Sequence, residues 1–176
     1  MAKLKGELTV DFLDLAKARS SIRAYRSDPV PEDKLRRVLE AAQCAPSAAN
    51  RQPIHLYVVR YAELRARMLD VYSQQWFADA PVIICACARP SEAWQRRDGK
   101  SYADIDVAIA MDHLILAAAA EGLGTCWIGA FKPGKLREIL QMPADLEPVA
   151  MTPLGFPDQQ PGPTPRKPLD ELVEYR

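Results

Sequence analysis

Histidine is scarce in this chain: His55 and His113 are the two in 176 residues. The four cysteines, Cys44, Cys85, Cys87 and Cys126, include no C-x-x-C pair. A structural zinc site therefore lacks its ligands, and no metal is expected. No G-x-x-x-x-G-K-[ST] loop is present, and no G-x-G-x-x-G opens a helix after an early strand. No serine stands in a G-x-S-x-G elbow. Nucleotide-loop, dinucleotide-fold and serine-hydrolase chemistries thus lack their parts. Net charge is missing too, with 23 basic and 23 acidic residues. That balance argues against a dedicated nucleic-acid binder, while leaving room for a local basic pocket. The opening MAKLKGELTV has no apolar run long enough for a signal peptide, so a reducing, cytoplasmic location is expected. No membrane partner is expected either, because the most apolar stretch is too short and interrupted to span a bilayer.

What is present suits a folded enzyme-sized unit. Hydrophobic residues make up 48% of the chain, which predicts one domain over residues 1–176 with a substantial core. DFLDLAKAR carries a helix pattern. Pro31, Glu32 and Asp33 then start a second helix, with Leu35, Val38, Leu39 and Ala42 spaced for one buried face. It should stop before Pro46. Residues 54–60 and 81–88 read as strands, with a polar helix over 62–75 between them. Cys85 and Cys87 alternate along the second strand and read as small core residues. RPSEAWQRRDGKS reads as an exposed loop and a candidate flap.

Residues 107–120 form a helix that is apolar nearly all round, apart from Asp112 and His113. Such a helix is buried in a large core or a subunit interface. TCWIGAF (125–131) reads as a strand, PGKLREILQM as a short helix, and LEPVAMTPLGF as a last extended run. Pro153 places part of that run at an edge or bulge. The tail from Pro157 is proline-rich and extended, suited to wrapping a partner. The elements do not alternate strictly as βαβ, so the expected fold class is α+β.

Three stretches carry candidate chemistry. In RSSIR, Arg19 and Arg23 stand four apart around Ser20 and Ser21. Guanidinium forks and hydroxyls suit a phosphate, although basic residues also favour helix C-termini for their own sake. In CAPSAANRQP, Ser47, Asn50 and Gln52 could hydrogen-bond a planar heterocycle beside small Ala48 and Ala49. A simple helix-terminating loop has the same composition. In GLGTCWIGAF, Gly129 within a strand pattern marks either a bulge or the close approach of a ligand.

Together, and in this order, the stretches resemble the nitroreductase family of flavin enzymes. The resemblance runs from DFLDLAKARSSIRAYRSDPVP through LEAAQCAPSAANRQP and DVAIAMDHLILAAAAEGLGTCWIGAF to PLGFP and RKPLDEL. It implies an α+β fold: a central antiparallel sheet flanked by helices, with an edge strand exchanged from the partner subunit's C-terminal tail. It implies FMN in the seam of a homodimer. By the family pattern Arg19 and Ser21 contact the phosphate with Ser20 nearby, and Arg166 closes that site. Arg23 approaches the pyrimidine edge. Pro46, Ser47, Ala48 and Asn50 reach the flavin of the other subunit. Ile128 and Gly129 present backbone near the ring's N5. No catalytic side chain is implied.

The implied activity carries electrons from NADH or NADPH to a small acceptor, a nitroaromatic, quinone or activated alkene, by a ping-pong route. The alternative is a non-catalytic module for flavin binding, storage or sensing. One departure stands out: Thr164, two before Arg166, occupies a position where many relatives have a second basic residue.

Overall fold

The computed structural model describes residues 11–162 and 164–176. The opening segment read for a signal peptide and Pro163 of the tail lie outside the described residues. Helices α1 (Phe12–Ala18), α2 (Glu32–Gln43), α3 (Ala62–Arg67), α4 (Gln75–Asp79), α5 (Ala103–Ala120) and α6 (Pro133–Leu140) surround four strands. The strands are β1 (Ile54–Val59), β2 (Val82–Ala88), β3 (Gly124–Thr125) and β4 (Glu147–Gly155). Their order in the sheet is β1-β2-β4-β3, and every pairing is antiparallel. No helix among the described residues is long and apolar enough to cross a membrane.

α5 is the axis of the fold. It packs on α2 and on the sheet, burying Val107, Ala110, Met111, Leu114 and Ala118 completely. Each large side chain among these contributes about 1.5–3 kcal/mol by leaving water. Its apolar character continues onto the face turned from the core, where Ile105 and Leu116 are only half-buried, while half-buried Ile109 still packs against the core. α1 lies against α5 yet leaves Phe12 and Leu13 exposed. At the far end of α5, Lys34 and Arg37 of α2 both reach Glu121 and lock the two helices together. The Arg37 guanidinium holds the Glu121 carboxyl below the usual carboxylate range.

Three elements differ from the sequence expectation. The helix expected over 62–75 is broken into α3, a 3-10 turn at Met68–Asp70, and α4. The break lets Met68 and Val71 enter the core while Arg65 donates to the carbonyls of Ala78 (3.0 Å) and Ala80 (2.7 Å). The apolar helix starts earlier, at Ala103. The strand expected over 125–131 shrinks to β3 plus one isolated bridge, Ile128 to Met151.

Pro153 explains the shortened strand. Thr125 pairs with Leu154 and Ile128 with Met151, so the two rungs share one register. Cys126 and Pro153 should form the rung between them. Proline has no N–H to donate, and the Cys126 N–H turns to the Thr152 hydroxyl at 3.1 Å. Pro153 is therefore not at a sheet edge. It sits in an interior strand, paired with Ile83 on one side and facing the gap on the other. The bulge in β4 falls elsewhere, opposite Ala86 and Cys87.

Cys85 and Cys87 are fully buried in β2, and burial pushes the Cys87 thiol up to about 11. The loop after β2 folds back on itself through a Gln95–Ser101 bridge and an Arg96–Asp98 ion pair, with Ala93 buried at its base.

Candidate active site

The RSSIR stretch leaves α1 and runs beside β3. Ser21 bridges Thr125 in parallel, and the Ile22 N–H donates to the Thr125 carbonyl at 2.8 Å. The approach is tight: a Cβ on Gly124 would stand 2.7 Å from the Ile22 side chain, so only glycine fits there. Further on, Arg26 and Asp158 exchange backbone hydrogen bonds with Phe156 and Ala24. The start of the chain and the segment leading to the tail are thus stitched to the same sheet margin. Tyr25 is anchored there by donating to the Ile22 carbonyl at 2.7 Å, and burial raises its phenol far above the usual value.

Arg19, Ser20, Gln159, Gln160 and Pro161 line a cleft of about 380 Å³ at this margin. The arginines divide sharply. Arg26, Arg36, Arg37, Arg60, Arg89 and Arg96 each meet a carboxylate. Arg19, Arg23 and Arg166 meet none among the described residues, and neither do Arg51, Arg65, Arg67, Arg97 and Arg137. The recorded hydrogen bond of the Arg166 guanidinium is a 3.3 Å contact to the carbonyl of neighbouring Pro165. What sets Arg19 apart from the other unpaired arginines is its place on the cleft, where a cation with no carboxylate partner among the described residues suits an anionic ligand.

Ile128 and Gly129 differ in what they offer. The Ile128 N–H and C=O are both taken by Met151, at 2.8 and 2.9 Å. Gly129 is exposed, its N–H has no acceptor among the described residues, and a Cβ there would meet nothing within 4 Å. Of the two backbones, only that of Gly129 has its amide to give.

The loop between α2 and β1 is shaped differently. Pro46 and Asn50 are exposed, while Ser47 and Ala48 are half-buried. Ala49 (φ 51°), Asn50 (φ 53°) and Gln52 (φ 51°) all adopt the left-handed region. For ordinary L-residues this costs about 1–2 kcal/mol each, with asparagine tolerating it best. Surrounding hydrogen bonds hold the shape. The Gln52 N–H donates to the Ser47 hydroxyl at 2.9 Å, and the Gln52 amide to the Asn50 carbonyl at 3.0 Å. From outside, the Arg89 N–H donates to the Pro53 carbonyl at 2.9 Å, and Asp106 accepts the Ala48 N–H at 2.9 Å. The sequence alone does not single out Asp106. Its one signal there was a carboxylate at the start of an otherwise apolar run.

Two of the candidate stretches thus lie apart. The loop is fastened to Asp106 in the first turn of α5, whereas Ala119 and Gly122 at its other end line the cleft of Arg19 and Ser20. From Asp106 to Ala119 the helix rises about 20 Å.

A model of the nitroreductase family matches residues 16–76 and 68–156. The chain belongs to the nitroreductase family. Among its relatives, a Thermus thermophilus protein named NADH dehydrogenase is 33% identical, the match covering 97% of this chain and 100% of the relative. A Bacillus subtilis protein named FMN reductase [NAD(P)H] is 29% identical over 86% of this chain and 68% of its own length. A solved nitroreductase family protein from Clostridium difficile 630 superposes with a TM-score of 0.86 at 34% identity, covering 94% of this chain and 98% of that one. The antiparallel sheet with flanking helices is accordingly that of the nitroreductase fold.

The residues present fit FMN, the flavin that the resemblance implies. They supply uncountered arginines for a phosphate, hydroxyls and an amide for a heterocycle, and one free backbone N–H. Among the described residues no cluster of metal-ligating side chains competes with this reading.

Proposed function

We propose that this protein is an FMN-dependent oxidoreductase working as a homodimer. It takes reducing equivalents from NADH or NADPH and delivers them to a small acceptor, a nitroaromatic, quinone or activated alkene, in a ping-pong sequence. Bound FMN supplies the electron-carrying chemistry, and the protein supplies binding, orientation and electrostatics.

Arg19 and Arg166 bind the phosphate, and Ser20 and Ser21 complete its hydrogen bonding. Arg23 places a fixed positive charge at the pyrimidine edge, where it favours negative charge building up during reduction. The Gly129 N–H points a donor at the ring. Pro46, Ser47, Ala48 and Asn50 cover the ring from the second subunit, and the partner's C-terminal tail adds an edge strand to the sheet. No side chain is assigned as nucleophile or general base.

One observation carries this reading: the Ala48 loop and the cleft of Arg19 and Ser20 adjoin opposite ends of α5, about 20 Å apart along its axis. A symmetric pair of copies brings the loop of one chain to the arginines of the other. The half-buried Ile105 and Leu116, and the exposed Phe12 and Leu13, give such a pair an apolar surface to bury. The tail from residue 164 onward is exposed on the single chain and carries Leu169, Leu172 and Tyr175 outward, as an exchanged segment requires.

The test is anaerobic titration of the FMN-loaded protein with NADH and with NADPH. Bleaching of the flavin absorbance by either, and its return on adding a quinone, is expected. A yellow protein that neither nicotinamide bleaches would instead be a flavin store or sensor.

A further inference from the structure

Asp106 is a buried charged side chain that the proposed chemistry does not use. It is 1% exposed, in the first turn of α5, among Val107, Ala103 and the rest of the larger core cluster. An uncompensated polar group in such a place is costly, so it persists only where it performs a task. One oxygen, Oδ1, accepts the Ala48 N–H at 2.9 Å. The other, Oδ2, is buried with no hydrogen-bond partner among the described residues. A side chain serving packing alone would be better apolar, because half of this carboxylate gains nothing from its surroundings.

The bond that Asp106 does make falls where backbone shape is expensive. Ala48 opens the 3-10 turn Ala48–Asn50, and the left-handed residues Ala49, Asn50 and Gln52 follow immediately. The loop's internal hydrogen bonds, from Gln52 to Ser47 and Asn50, tie it to itself and do not fix it to the core. Its fixed points are the Pro53 carbonyl, held by Arg89, and the Ala48 N–H, held by Asp106. Ala48 is the one of the two that lies among the half-buried Ser47 and the exposed Pro46 and Asn50.

We infer that Asp106 is a positioning residue for the flavin site: its Oδ1 pins the Ala48 amide and so presets the strained loop in its ligand-binding shape. Asp106 touches no flavin. It removes conformational freedom that the loop would otherwise surrender on binding, which is how preorganisation raises affinity. The inference rests on the reading of this loop as flavin-facing.

Fluorescence titration of apoprotein with FMN, alongside apoprotein melting curves, tests it. Asp106→Ala is expected to raise the FMN dissociation constant about tenfold. Asp106→Asn keeps an acceptor oxygen for the Ala48 N–H and should return the constant to within about threefold of wild type. Ala48→Pro removes the donated N–H while leaving the carboxylate in place, and should weaken FMN as Asp106→Ala does. It serves as the readout if Asp106→Ala does not fold. Because Asp106 acts through the loop, Asp106→Ala should be non-additive with Asn50→Ala and additive with Arg19→Ala.

Additivity with Asn50→Ala, an unchanged constant in Asp106→Ala or Ala48→Pro, or an Asp106→Asn as weak as Asp106→Ala overturns the inference. If Asn50→Ala binds FMN normally while Arg19→Ala does not, the loop does not face the flavin, and both readings fall together. If Asn50→Ala binds weakly and Asp106→Ala binds normally, only the role of Asp106 falls.

Discussion

At the C-terminal end of α5 the candidate residues are charged and loosely held; at its N-terminal end they are neutral and tightly held. Arg19 lines the cleft there, and like Arg23 four residues on it has a long side chain and no carboxylate partner among the described residues. Ser47, Ala48 and Asn50 carry little charge but sit on a backbone fixed in costly conformations by Ser47, Arg89 and Asp106. The first arrangement suits a diffuse double negative charge, for which electrostatic attraction matters more than exact placement. The second suits a flat, rigid ring, for which placement matters more than charge. The difference teaches that one ligand with two chemically unlike ends can be held by two sites built on separate physical principles, each legible without the other.

The comparison can be broken most decisively by mixing subunits. If each flavin takes its phosphate grip from one chain and its ring loop from the other, a dimer of one Arg19→Ala and one Asn50→Ala chain has one site with both defects and one with neither. Random re-pairing of the two defective proteins should then restore tight FMN binding at about a quarter of all sites. Restoration of none, in re-paired dimers verified by mass, would place both groups on the same chain's flavin.

The charged end alone is next. Arg19→Ala should weaken FMN by about tenfold to a hundredfold, since a charge-assisted hydrogen bond contributes about 1.5–3 kcal/mol. The loss should shrink as salt rises, whereas that of Asn50→Ala should not. Equal salt dependence in the two titrations would erase the distinction between the ends.

Gly124→Ala probes the scaffold beneath the arginines. Its Cβ would meet Ile22 at 2.7 Å, so overpacking of about 1–3 kcal/mol should lower the melting temperature. FMN affinity should fall with it, because Ile22 lies between the two serines and Arg23. The smallest effect belongs to Thr164→Lys. A second cation near Arg166 should tighten FMN by about threefold at low salt and by nothing measurable at high salt.

Much of the fold was legible in the sequence because single elements carried their own periodicity. Leu35, Val38 and Ala42, spaced for one helical face, are the buried residues of α2. The unbroken apolar run 82–88 is the strand buried on every residue. The apolar helix was visible too, as was the order of the three candidate stretches. What escaped was set by partners distant in sequence. The break after Arg67 depends on core positions for Met68 and Val71 that no local pattern announces. The missing rung of β3 depends on Pro153, some 27 residues downstream of its opposite number Cys126. Within the candidate site, residue types suggested the cradle, but not the left-handed backbone of Ala49 and Gln52, since alanine and glutamine carry no preference for it. The anchoring role of Asp106 needed the fold, because Ala48 is 58 residues away in the chain.

The proline in β4 has a consequence for how this sheet can move. With no donor at Pro153, residues 126–127 are moored to β4 through the threonine hydroxyl instead of a regular rung, and Trp127 swings outward while Ile128 returns to the ladder. The strand can flex at that one step without unzipping the bonds above or below it. A compliant joint therefore stands two residues before the Gly129 amide, separated from it by the single Ile128–Met151 rung.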